Sequence, residues 1–296
     1  MEIVASKNIL LKYFELLVPK QKTEIEKSLQ ATIENDNNKI KLSSDYLEIL
    51  ESFFLKKGDY YLDLFQTFVA NCFAENRIVS FMPIETGNNE NDIIINCFEH
   101  DFKDYSFYIS NKVDQEIENS LNSNICVLEN IQKPNQHWLI LNILSGYVID
   151  LDYSNFSNQK VLSDFISLIP RLSKKTEQIE IMDSYFNLGS HNLVYENLKS
   201  SKSKIKCFTR ILNDEKKTLK RQLIKDYFGK GKTSVSFSKD TKITHERKIR
   251  IGNLIIEFTH DFSEIKPQNR NWCIYLKICD LKTKLFEEKT SKYNSN

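Results

Sequence analysis

The spacing of apolar residues changes once along this chain, near residue 77, and that change limits what the chain can fold into. Up to residue 74, apolar side chains recur every three or four positions over 8–18, 23–33, 44–55 and 60–74, the period of helices that bury one face. Ser43 and Ser44 ahead of Asp45 and Glu48 form a helix start in which a hydroxyl accepts from the first turn. Glu34-Asn35-Asp36-Asn37-Asn38 is a polar connection. From residue 77 the apolar runs shorten, and 78–82, 92–97, 105–110, 125–129, 137–144 and 146–151 read as strands. Loops fall at 85–91 and 133–136, and 112–121 reads as a helix. A connecting helix over 161–172 leads to an expected boundary at Ser173-Lys174-Lys175. The expected class is α+β: a helical block over 1–76, a mixed region over 77–173 joined to it in one domain, and a C-terminal domain over 174–296.

Composition narrows the function. The 296 residues include 19 Phe and 13 Tyr, enough bulk for true cores, which excludes disorder of the whole chain. A net charge of +1 means that any polyanion site must concentrate its charge locally. Such a concentration exists between 199 and 232, with Lys216, Lys217, Lys220 and Arg221 in one helical stretch. Two readings stand: a solvated helix face, or one wall of a polyanion groove. No apolar run reaches the ~20 residues of a membrane-spanning helix. Met1-Glu2-Ile3-Val4 lacks a basic stretch before an apolar block, so a cytoplasmic location is expected. Cys72, Cys97, Cys126, Cys207, Cys273 and Cys279 form no C-x-x-C pair, so they read as buried thiols, with no metal and no cofactor expected.

The C-terminal part carries the chemistry. A strand with Ile179 and Ile181 ends in Asp183-Ser184-Tyr185-Phe186, and a helix follows over 191–199. Next come a strand over 204–210, a basic helix over 214–227, and strands over 234–238, 248–251 and 254–258. Trp272, Ile274 and Leu276 alternate in a last strand. A strand turns alternate side chains to one face, so His245 and Arg247 grip one phosphate together, the arginine as a fork.

The stretch from Thr244 to Phe262 resembles a phospholipase-D signature, which has a His, a Lys two residues on, an acid five further and a closing Gly-Ser-x-Asn. Here His245 keeps the first place, Arg247 stands for the Lys, Gly252 for the acid, and Thr259-His260-Asp261-Phe262 for the close. More widely, 174–289 resembles the phospholipase-D-like C-terminal domain of MIT-domain proteins that act with the ESCRT machinery. Asp183-Ser184-Tyr185 matches that family's Asp-Pro-Tyr strand end, and His245-Glu246-Arg247 with Asn253 matches its His-Asp-Arg strand and Asn-Gly turn. The resemblance implies an α/β sandwich that is non-enzymatic, dimerises and binds acidic lipids. The expected function is therefore phosphodiester binding without catalysis, the ligand being nucleic acid or an acidic phospholipid headgroup. Phosphate would be held by His245, Arg247, Asn253 and, from a helix start, His191. A homodimer and a protein partner for the N-terminal region are expected. The alternative is a metal-independent phosphodiesterase or nuclease, a homodimer with His245 as nucleophile in each copy. Bacterial chains with such domains often resemble antiviral defence components, an analogy of fold.

Other constellations have competing readings. Gly229-Lys230-Gly231-Lys232-Thr233-Ser234 resembles a phosphate loop, but Asp226 stands where a Gly is required and a helix precedes it. Glu99-His100-Asp101 reads as a surface turn, or as metal ligands or an acid and base. Gly189-Ser190-His191-Asn192 reads as a helix cap or as a phosphate contact. His260-Asp261 reads as a polar strand end or as a substitute acid for His245.

Overall fold

A computed structural model describes residues 1–81, 89–101, 106–113, 115–121, 124–133, 135–146, 148–156, 159–173, 178–189, 192–210, 216–238, 247–252, 254–266, 272–278 and 285. Helices and strands occur in both halves, in accord with the expected α+β class. The first sheet joins β1 (Glu2–Ala5), β2 (Lys39–Leu42), β3 (Ile78–Ser80), β4 (Ser106–Ser110) and β5 (Ile125–Val127) in the order β3-β2-β1-β4-β5. All of its pairings are parallel, so its central strands must be covered on both faces. β1 and β4 are accordingly buried at every position.

The helices expected at the front form as α1 (Lys7–Leu16), α2 (Glu24–Glu34), α3 (Ser44–Lys57) and α4 (Asp59–Ala74). Hydroxyls of Ser6, Thr23 and Ser43 cap the first three. α5 (Glu90–Asp101), α6 (Gln115–Leu121) and α7 (Gln136–Ser145) follow. Two expected strands are corrected here, because 92–97 lies in α5 and 137–144 in α7. Asn89 accepts the Asp92 amide at 3.0 Å and starts α5. Asn135 accepts the Trp138 amide, and Gly146, at φ 76°, closes α7 in the left-handed conformation. α7 buries Leu139, Ile140, Leu141, Ile143 and Leu144 nearly all round, so it has no polar face to reveal a helical period. β1 and β2 went unexpected for the opposite reason: four residues are too few to display a period.

The second sheet joins β6 (Ile149–Asp152), β7 (Gln178–Met182), β8 (Lys204–Arg210), β9 (Thr233–Ser238), β10 (Arg247–Ile251), β11 (Leu254–Phe258) and β12 (Cys273–Ile278). Their order is β6-β12-β11-β10-β7-β8-β9. β7, β8 and β9 run parallel and the other pairings are antiparallel. α8 (Gln159–Ser173), α9 (Leu193–Lys199) and α10 (Lys217–Phe228) complete the described helices. Gly252, at φ 56°, opens the tight connection from β10 to β11, a conformation that glycine adopts without strain.

Two features of this architecture position the site. β10 pairs antiparallel to β7 with Lys248 opposite Met182, which brings Arg247 to the first residue beyond β7, Asp183. Beneath that point Phe186, Tyr195, Phe228 and Phe262 pack ring on ring, holding α9 and α10 to the strand ends. The two sheets share a continuous core, since α7 touches both β5 and β12. Thr32, Asn35 and Asn38 donate to the carbonyls of Leu141 and Leu144 at 2.7–3.2 Å, satisfying the open end of α7.

Candidate functional site

The site grows from Asp183, the residue that follows β7. Its carboxylate is fully buried and receives the Tyr185 amide at 3.0 Å, the Phe186 amide at 3.1 Å and the Tyr195 hydroxyl at 2.6 Å. These bonds fold 183–186 into a tight turn, with Phe186 in the left-handed region at φ 50°. Burial pushes the Asp183 carboxyl above its ordinary range, against the Tyr195 hydroxyl, the Tyr185 amide and the charge of Arg247. Burial beside that carboxylate raises the Tyr195 phenol well above its usual value.

Two cations meet on this turn from separate elements. The Arg247 Nε lies 3.8 Å from Asp183 Oδ1, and the guanidinium stands 5.7 Å from the centre of the Tyr185 ring. The Arg247 side chain is only 16% exposed, and its buried Nε has no hydrogen-bond partner among the described residues. From α10, Lys220 donates to the carbonyls of Ser184 at 2.8 Å and Arg210 at 3.1 Å. Its burial lowers its pKa, opposed by the charge of Asp183. Thr209 Oγ1 also donates to the Ser184 carbonyl, at 3.0 Å. The Ser184 hydroxyl is buried with no hydrogen-bond partner among the described residues. Tyr185, by contrast, is 57% exposed. The turn thus combines two cations, two unsatisfied polar atoms and an open aromatic ring around one carboxylate already engaged by three donors. Guanidinium, ammonium and hydroxyl groups of this kind are the donors that anionic oxygens accept from.

The remaining cations of α10 extend this arrangement. Lys217 Nζ and the Arg221 guanidinium lie 5.7 Å and 5.2 Å from the centre of the Phe237 ring on β9. Lys216, just before α10, is exposed. Of the residues expected to hold phosphate, Arg247 stands in this cluster, whereas His245, Asn253 and His191 lie outside the described residues. Thr209 and Tyr195 were not anticipated as parts of a site, because only the fold brings them to the turn at Asp183.

The competing constellations resolve structurally. Gly229 closes α10 at φ 110°, Lys232 Nζ donates to the carbonyls of Lys199 and Ser201, and Thr233 begins β9. That segment is a helix exit and strand start, with no helix N-terminus after its glycines. Glu99 and His100 sit in the last turn of α5, both exposed, correcting the expected surface turn. Asp261 caps the single turn at 262–264 by accepting the Ser263 amide at 2.8 Å, and its charge adds to the upward push on Asp183. Among the described residues no cluster of His, Cys, Asp and Glu suits a metal ion.

In the first sheet the strand order reverses between β1 and β4, and Glu90, which begins α5, meets the chain just beyond β1. Its Oε1 accepts the Lys7 amide at 2.9 Å and lies 3.0 Å from the Tyr46 hydroxyl, while Oε2 pairs with Lys7 Nζ at 3.1 Å. The N-terminus of α1 is thereby satisfied from within the chain.

No protein-family model and no curated protein matches this sequence. Among solved structures, polyphosphate kinase from Porphyromonas gingivalis is similar at 12% identity and a TM-score of 0.31, over 45% of this chain and 23% of that one. TrmBL2, an archaeal chromatin protein with a novel mode of DNA binding, is similar at 12% identity and a TM-score of 0.26, over 45% of this chain and 46% of that one. The chain thus spans less than half the length of either protein, and likenesses this faint carry no functional argument. No helix among the described residues is long and apolar enough to cross a membrane.

Proposed function

We propose that residues 174–289 form a degenerate phospholipase-D-like domain that binds a phosphodiester without cleaving it. The observation that carries this reading is a pair of buried atoms at one turn that have no hydrogen-bond partner among the described residues, Arg247 Nε reaching in from β10 and Ser184 Oγ within the turn. A buried polar atom left unsatisfied costs about 1–3 kcal/mol, and phosphate oxygens are the acceptors that a guanidinium, an ammonium and a hydroxyl share. Binding is favoured over catalysis because Asp183 is already committed to Tyr195 and two amides. Nearby, burial raises the Cys207 thiol far above the range in which it would act as a nucleophile. Gly252, where the phospholipase signature places an acid, serves the hairpin turn.

Titration calorimetry with pyrophosphate and with a dinucleotide tests the reading. Arg247→Ala is expected to weaken binding at least ~10-fold, and Arg247→Lys to recover part of it, since lysine keeps the charge and loses the fork. Unchanged affinity in a folded Arg247→Ala protein removes this site. Phosphodiester turnover in excess EDTA that disappears in His245→Ala would replace binding with catalysis.

A further inference from the structure

We infer that the ligand of this site is a single-stranded nucleic acid laid across the carboxyl ends of β7, β8 and β9, its phosphates on Arg247, Lys220, Lys217 and Arg221 and one base on Tyr185. This rests on the phosphate-binding reading above and adds the ligand class. The four cations form a row. Arg247 stands beside the end of β7, and Lys220 bridges the ends of β7 and β8 through the Ser184 and Arg210 carbonyls. Lys217 and Arg221 flank Phe237 near the end of β9. With strands ~4.8 Å apart, the row extends ~10 Å.

Tyr185 decides between single and double strands. Its ring is more than half exposed and is backed by the Arg247 guanidinium 5.7 Å away, a fixed platform for a base. Paired bases inside a duplex offer no free face to it. A membrane surface fits less well. An interfacial helix turns its apolar stripe to lipid, whereas α10 buries Ile224 and Phe228 in the core and exposes only Leu219 and Leu223 as large apolar side chains.

Fluorescence anisotropy on the full chain tests this, with labelled oligothymidylate and oligouridylate of ~12 nucleotides, a duplex of the same length, and phosphatidylserine vesicles. Both single strands are expected to bind, with affinity falling steeply as salt rises. Tyr185→Ala is expected to weaken them about tenfold while Tyr185→Phe does not. The double variant Lys217→Ala/Arg221→Ala is expected to weaken the single strands about tenfold. Pyrophosphate binding through Arg247 without oligonucleotide binding overturns the inference and spares the parent reading. Equal binding of the duplex overturns it, as does binding of vesicles alone. Absence of both pyrophosphate and oligonucleotide binding overturns the parent reading itself. Circular dichroism of each variant separates loss of binding from loss of fold.

Discussion

Asp183 concentrates the physics of the site at the scale of a single residue. It shapes the turn, orders Tyr195 and faces Arg247. Removing a buried, paired carboxylate leaves its partners exposed to that cost, so Asp183→Ala is expected to lower unfolding stability by about 3 kcal/mol, read by urea titration. The pH dependence has a definite sign. Burial raises the folded pKa of Asp183 above the unfolded value, so its contribution is fully present below the unfolded pKa and is lost as pH rises through the folded one. The stability difference between wild type and Asp183→Asn should therefore fall as pH rises across that window, then level. A difference that grows with pH would show that Arg247 and Tyr195 outweigh burial. Arg247 was legible in the sequence through its alternation with His245. Its approach to the same turn as Lys220 was not, because Arg247 reaches Asp183 from β10 while Lys220 reaches Ser184 from α10.

The elements divide by how openly they display their period. α2 and α10 show one polar and one buried face, and the helical spacing locates both within a few residues. α7 and the Ile93-Ile94-Ile95 run of α5 do not, because a continuous apolar run suits a buried strand as well as a buried helix. Their caps, Asn135 and Asn89, carried the discriminating information. Phe228→Ala should cost about 3–5 kcal/mol and weaken pyrophosphate binding, since Phe228 anchors the helix that carries Lys220. Calorimetry on the same variant reads both. Glu90→Ala should cost about 1–3 kcal/mol by leaving the Lys7 amide and Tyr46 hydroxyl without their carboxylate. A thermal melt that does not move would show that water replaces it fully.

Across the whole molecule the apolar core runs without interruption from the first sheet to the second. β6 precedes α8 and the expected boundary near residue 174, yet it forms the edge of the second sheet beside β12. Cooperative unfolding of both sheets is therefore expected. The chain has two tryptophans, Trp138 on α7 and Trp272 ahead of β12. Trp138→Phe and Trp272→Phe variants, each followed by the fluorescence of the remaining tryptophan, should give superimposable urea transitions once normalised to their own stability. Separate transitions within one variant would divide the molecule into two units.

The sequence by itself determined the α+β class, most elements of the C-terminal half and the place of Arg247 on a strand, because these depend on local periods of two and 3.6 residues and on the chemistry of single side chains. Only the tertiary structure decided that the first five strands make one parallel sheet, that β6 crosses to the second, and that Asp183, Ser184, Lys220 and Arg247 share one turn. Those outcomes depend on which distant surfaces bury each other. Burial between elements far apart in the chain leaves no period in the sequence of either one.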